Sequence, residues 1–149
     1  MMRRVRRPKD QEAYYTMLVD KEEYGIFSTY KDIFMLAGLI GFFYKRKKSF
    51  DNSTEGISWN VFNLNTDEIV IDMVAIKDTK DLDIINPDRF DDKITIFEEY
   101  AAGGLERIMQ VYNDSPSNFT DNLYDFLLEM EGIKDSSQKE FNDITKLLY

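Results

Sequence analysis

The feature that most constrains the fold is the run from Ile33 to Tyr44, twelve residues without a single charge. A membrane span needs roughly 20 residues, so this run is too short to cross a bilayer. A helix that is apolar nearly all round must instead be surrounded by other elements. The flanks agree. Ser28 or Thr29 supplies a cap, Asp32 suits the positive first turn, and Lys45-Arg46-Lys47-Lys48 suits the negative end. Gly38 and Gly41 lie three residues apart inside the run. Each costs a helix about 1 kcal/mol relative to Ala, a loss that the close approach of a second backbone offsets. The sequence therefore predicts a central helix over residues 30–44, buried by its neighbours.

The rest of the chain supplies those neighbours. Pro8-Lys9-Asp10 opens a first helix with an apolar stripe of Ala13, Tyr14, Met17 and Leu18, closed by Gly25. Residues 49–56 form a polar loop. Ile57-Ser58-Trp59-Asn60-Val61-Phe62 alternates and reads as a short strand or a helix entry. Asn65-Thr66-Asp67-Glu68 caps a run through Ile69, Val70, Met73, Val74 and Ile76 that suits a helix or a β-branched strand. Leu82 to Arg89, with Pro87, is a connection. Residues 94–109 form a long helix or a helix pair interrupted at Gly103-Gly104. Beyond Pro116 come two amphipathic stripes, Phe119, Leu123, Phe126, Leu127 and Met130, then Phe141, Ile144, Leu147 and Leu148. The expectation is an all-α class: a compact single-domain helical bundle over residues 1–149, with at most a small β-hairpin or short strand near residues 57–62. Residues 1–9 form a basic N-terminal arm and residues 117–149 acidic C-terminal helices.

Composition narrows the chemistry. Of 149 residues, 43% are hydrophobic and 14% aromatic, enough for a real core. With no cysteine, disulfides, thiolate zinc sites and Cys nucleophiles are excluded. With no histidine, the commonest general base and transition-metal ligand are missing too. No cofactor, metal or catalytic residue is expected. The charged start has no apolar run behind it, so no signal peptide is read there, and a cytoplasmic protein without a membrane span is expected. Charge is split along the chain. Residues 1–48 hold eleven Lys/Arg against six Asp/Glu, whereas residues 49–149 hold eight against twenty-two. Nine of the nineteen basic residues fall in two clusters, Arg3, Arg4, Arg6, Arg7 and Lys9, then Lys45, Arg46, Lys47 and Lys48. Such a chain can offer one face to a polyanion while the rest repels it. A solubilising arm and a solvated helix end would leave the same pattern.

Four segments carry a family resemblance: Arg3-Val5-Arg6-Arg7-Pro8-Lys9-Asp10, Gly25-Ile26-Phe27-Ser28-Thr29-Tyr30-Lys31-Asp32, Gly41-Phe42, and Ile96-Phe97-Glu98-Glu99-Tyr100-Ala101-Ala102-Gly103-Gly104-Leu105. In this order they resemble small proteins encoded beside bacterial DNA phosphorothioation (Dnd) genes, the Dnd-system-associated protein 4 family. The resemblance covers residues 3–110 and leaves the tail beyond Pro116 unmatched. It implies a setting rather than a reaction. Dnd systems replace a non-bridging phosphate oxygen of DNA with sulfur and couple that mark to restriction of foreign DNA. A chain without cysteine is neither a sulfur carrier nor a cluster protein, and the family lends no catalytic residue. The implied role is an accessory part in phage defence.

The two basic clusters are the candidate contact for a DNA backbone or a partner. On one face they would neutralise roughly five to eight phosphates; aromatic interleaving, which single-strand stacking needs, is absent. Asp78-Thr79-Lys80, with Asp67 or Asp72, fits half of a metal-dependent nuclease pattern, but the spacings are short and the segment reads as helix. Asp91-Asp92-Lys93 follows Pro87-Asp88 too closely to serve instead. Glu98 and Glu99, adjacent on a helix, point about 100° apart and do not share a site. Phe97, Tyr100 and Leu105 read as core, Gly103 and Gly104 as a close crossing or kink, and Trp59 as a core anchor. The function expected is a non-enzymatic accessory protein of a Dnd-linked restriction system. It would touch double-stranded DNA or the DNA-bound machinery through its basic face. The alternative is an adaptor or regulator that meets only other Dnd-system proteins.

Overall fold

The computed structural model of the protein describes residues 3–132. Five α-helices follow in order: α1 (Glu12–Val19), α2 (Tyr30–Phe43), α3 (Asp67–Thr79), α4 (Phe90–Asp114) and α5 (residues 119–132). Single 3-10 turns link them, at Lys9–Gln11, Lys21–Glu23, Trp59–Val61, Leu82–Ile85, Pro87–Arg89 and Pro116–Asn118. The class is all-α. Among the described residues β pairing is limited to two isolated antiparallel bridges, Val5 with Ile57 and Pro8 with Ser53.

The centre is the crossing of α2 over α4, the most extensive contact between elements. Thr29 caps α2, its hydroxyl accepting from the Asp32 backbone N–H at 3.2 Å. The expected glycines serve the crossing. A Cβ on Gly41 would run into the Tyr100 carbonyl, and one on Gly104 into the Ala37 carbonyl. Ile33, Phe34, Ala37 and Ile40 of α2 and Phe97, Ala101, Leu105 and Ile108 of α4 fill the buried seam. Phe34 lies 5.2 Å from Phe97 and 5.9 Å from Phe62, ring centre to ring centre.

The other helices pack around this cross. α3 lies beside α2, joined by Lys31–Asp67 (2.8 Å) and Lys47–Asp78 (2.9 Å). The buried Lys93 of α4 meets Glu68 at 3.1 Å and Asp72 at 2.7 Å on α3. α5 returns along the end of α4, with Phe119 5.3 Å from Tyr112 and Phe126 stacked 5.7 Å from Tyr44.

Several expectations are corrected. α4 runs unbroken through Gly103-Gly104, where the Arg46 and Ala37 carbonyls occupy the space that side chains would take. Of the two alternatives for residues 69–76, the helix holds, with Ile71, Val74 and Ala75 buried. α1 ends at Val19 rather than at Gly25, and its buried face is Tyr15 and Leu18, with Ala13 exposed. The strand-like start at Ile57 pairs with Val5 across the molecule and then turns into the 3-10 element at Trp59, so there is no local hairpin among the described residues. Trp59 packs on Phe62 and Phe90, both at 5.0 Å. The stripe Phe141, Ile144, Leu147 and Leu148 lies outside the described residues.

Candidate nucleic-acid interface

The N-terminal basic segment is built into the fold rather than hanging from it. Val5 and Ile57 exchange two backbone hydrogen bonds of 2.8 Å, and Lys9 donates to Asn52 at 3.0 Å. An extended backbone sends alternate side chains to opposite faces. Arg3, Val5 and Arg7 therefore point inward, and Arg4 and Arg6 outward. Arg7 is only 2% exposed. Its guanidinium sits 4.6 Å from both the Tyr15 and Tyr30 rings, donates to Glu12 at 2.6 Å and to the Glu55 carbonyl at 2.9 Å. Cation–π attraction and a charge-assisted bond together offset the desolvation of this buried charge. Arg3 reaches Glu98 on α4 with two bonds, 2.8 and 3.1 Å, and also meets Asp91 and Thr95. Glu98 accepts a further bond from the Arg6 backbone N–H. Two of the five N-terminal cations thus belong to the architecture.

The second cluster is divided in the same way. Arg46 and Lys48 share Glu106, at 3.6 and 2.9 Å, and Lys48 also meets Asp10 at 3.4 Å. The Glu106 carboxylate holds the Lys48 ammonium above its ordinary range. Lys47 pairs with Asp78 and lies 5.1 Å over the Tyr100 ring. Lys45 ends α2 in the left-handed conformation, φ 56°. Among the described residues, Arg4, Arg6, Lys9 and Lys45 have no carboxylate partner. Arg4 donates twice to the Gly56 carbonyl, and Arg6 lies 4.9 Å over the Phe50 ring.

Folding brings the two clusters together. The Lys48–Asp10 bridge and the Arg6–Phe50 contact join them, and Lys9, Lys48, Ser49, Phe50 and Asn52 line a shallow groove bordered by Asp10 and Asp51. Sequence reasoning treated all nine cations as one kind. The Arg-x-Val-x-Arg alternation at residues 3–7 was the signal that separates the inward from the outward ones.

The motif at residues 97–105 serves the crossing and the clamp. Phe97 and Leu105 are core. Glu98 holds the extended N-terminal segment, while Glu99 faces elsewhere and accepts from Ser49 at 3.2 Å. Gly103 lets the Arg46 carbonyl approach and Gly104 that of Ala37. The Tyr100 hydroxyl donates to Asp78. The acids weighed as a nuclease set are drawn apart: Asp67 to Lys31, Asp72 to Lys93, and Asp78 to Tyr100 and Lys47. Lys80 ends α3, so Asp78-Thr79-Lys80 is a helix terminus and not a strand.

Burial alone would raise the Asp78 carboxyl, but the Tyr100 hydroxyl and the Lys47 ammonium hold it below the usual carboxylate range. A depressed folded value contributes stability above the unfolded carboxylate pKa of about 3.9 and loses it as pH falls through the folded value. Burial and the neighbouring Asp78 raise the Tyr100 hydroxyl, so its share is complete below about pH 10 and lost above it. In urea melts from pH 7 down to pH 2, Asp78→Asn is expected to flatten the acid loss of stability below about pH 4. An unchanged slope there would remove Asp78 from the account.

The family model described as DNA sulphur modification system-associated protein 4 matches residues 4–147. This carries the resemblance past residue 110, through the described end of α5 and into the tail. No curated protein and no solved structure matches the chain. Glu98 and the glycine crossing of α2 with α4 lie within the matched span, and the chain belongs to the DNA sulphur modification system-associated protein 4 family.

Proposed function

We propose that this protein is a non-enzymatic accessory factor of a cytoplasmic, Dnd-type restriction and phage-defence system. It meets the phosphate backbone of duplex DNA through the outward side chains of its extended N-terminal segment. The observation that carries this reading is the division of the basic residues. Arg3, Arg7, Arg46, Lys47 and Lys48 are occupied by carboxylates, whereas Arg4, Arg6, Lys9 and Lys45 have none among the described residues, and Arg6 and Lys9 both lie beside Phe50. Guanidinium groups already held by Gly56 and Phe50 lose little freedom when a phosphate arrives. The acidic remainder, in a chain of net charge −9, limits the pose to these groups.

Deleting residues 1–9 would remove Val5 and Arg7 from the core, so substitutions test the reading better. Binding to a random duplex is measured across a salt series for the parent chain and for Arg4→Gln/Arg6→Gln/Lys9→Gln. The expected result is weaker binding with a log–log salt slope smaller by about 2 to 3, from three lost phosphate contacts. With Mg²⁺ added, the duplex stays uncut. No binding by the parent chain at low salt defeats the DNA reading. The second reading, an adaptor that meets only proteins, is favoured by the internal use of five of the nine clustered cations. It predicts co-purification with neighbouring gene products instead.

A further inference from the structure

A cleft of about 500 Å³ opens where the N-terminal segment, the loop before Trp59 and the start of α2 meet. That volume is in the range of small-molecule sites, roughly 300–1,000 Å³. One wall is Arg4. Its Nε and Nη2 both donate to the Gly56 carbonyl, at 3.0 and 2.7 Å, so the side chain is fixed and Nη1 is left over. Gly56 allows this seat, because a Cβ there would meet the Arg4 Cβ at 2.7 Å. Another wall is the first turn of α2. The Tyr30 and Lys31 backbone N–H groups open that helix and have no acceptor within it. The Thr29 and Ser58 side-chain oxygens, also in the lining, accept from the Asp32 and Asn60 backbones, which leaves both hydroxyl hydrogens free to donate.

Arg7 is the most deeply buried residue of the lining, 2% exposed. Its terminal nitrogens are taken by Glu12 and the Glu55 carbonyl, but its Nε–H has no acceptor. A buried N–H left unpaired costs about 1–3 kcal/mol. The fold supplies no partner, and the cleft that Arg7 lines opens a route to an outside oxygen. The charged lining is Arg4, Arg7 and Lys31 against Asp32 and Glu55, a net of +1 on a chain of net −9. Glu12 holds Arg7 and Asp67 holds Lys31, so Arg4 is the cation left for a ligand, and the α2 dipole adds to it. Tyr30, Ile57 and Val61 supply apolar surface, with Val61 56% exposed. A phosphate monoester answers both halves of this lining. Its three terminal oxygens match the several donors, and an attached ring covers the apolar wall.

We propose that the cleft binds a small phosphate monoester of the nucleoside monophosphate class. The phosphate sits between Arg4 and the first turn of α2, and the ring lies against Tyr30 and Val61. The site stands without the DNA reading, which uses only Arg4 of these residues.

Deoxyadenosine 5′-monophosphate, deoxyadenosine and inorganic phosphate are titrated into the full-length chain, with binding read by calorimetry and by amide NMR shifts. The monophosphate is expected to bind roughly tenfold more tightly than either fragment, shifting the amides of Tyr30, Lys31, Gly56 and Ser58. Arg4→Gln should weaken it about fivefold, through one lost charge-assisted bond. Glu55→Gln, which removes a negative charge from the lining, should tighten it. Both side chains are exposed, so neither change disturbs the core. No binding at millimolar concentration overturns the proposal. So do shifts confined to the groove at Lys9, Ser49 and Asn52, affinity indifferent to Arg4→Gln, or inorganic phosphate binding as tightly as the monoester.

Discussion

Gly104→Ala is expected to destabilise the protein by about 3 kcal/mol, the upper end of what overpacking costs. The added methyl would land on the Ala37 carbonyl and against the Gly41 amide. These are backbone atoms of α2, which cannot rotate aside as a side chain can, so the two helices must separate at the centre of the core. Gly41→Ala should cost a similar amount, because its methyl meets the Tyr100 carbonyl and the Gly104 amide from the other side. Each change forces the same separation, so the double variant should lose less than the two losses added together. Gly132→Ala is the control. Nothing lies within 4 Å of its Cβ, and helix propensity favours Ala by about 1 kcal/mol, so stability should hold or rise. Urea titrations check this as a fall in midpoint at constant slope. A loss below about 1 kcal/mol at Gly104 would mean that the helices do not approach as described.

Glu98→Gln should cost about 2–3 kcal/mol and act first on the extended N-terminal segment. Glu98 is 1% exposed and accepts two bonds from Arg3 and one from the Arg6 backbone. Removing one member of a buried ion pair costs about 3–5 kcal/mol because the other charge is left without compensation. The smaller figure applies here because the Arg3 side chain keeps 25% exposure and Asp91 as a second partner. An amide also turns a donor toward the guanidinium, so isosteric size gives no rescue. Limited trypsin digestion should cut between Arg3 and Arg7 sooner in Glu98→Gln than in the parent, while α2 and α4 resist. Asp91→Asn should change little, since that carboxylate is exposed and surface pairs contribute about 1 kcal/mol or less. Equal trypsin sensitivity in parent and Glu98→Gln would show that the clamp does not hold the segment. Because Arg4 and Arg6 are displayed by that segment, Glu98→Gln should also weaken duplex binding without removing any outward charge, which separates positioning from contact.

These outcomes bear on which features were legible before folding. The extent of α2, a hydroxyl cap at Ser28 or Thr29 and its glycine contact could be read because they rest on local rules: a run of apolar residues, a hydroxyl before a helix, and glycines spaced to share a face; the fold chose Thr29. The core stripe Phe119, Leu123 and Phe126 was legible for the same reason. Residues 69–76 fitted a helical face but also a β-branched strand, and the fold holds them as helix with Ile71, Val74 and Ala75 buried. Gly103-Gly104 read both as an interruption and as a close crossing; the carbonyls of Arg46 and Ala37 bear out the crossing, while propensity alone counts only the cost of glycine.

The basic clusters show the same divide more sharply. By itself the sequence determined how many cations stand at each end of α2 and at the chain's start, and that no cysteine or histidine chemistry accompanies them. It also determined the alternation that sorts Arg3, Val5 and Arg7 from Arg4 and Arg6. Tertiary structure decided which cations meet a carboxylate. Glu98 is ninety-five residues from Arg3, and Tyr30 is twenty-three from Arg7; no local pattern links them. A long-range ion pair depends on two backbones meeting at a given register, and a charge taken as deep as Arg7 or Glu98 must find its partner inside.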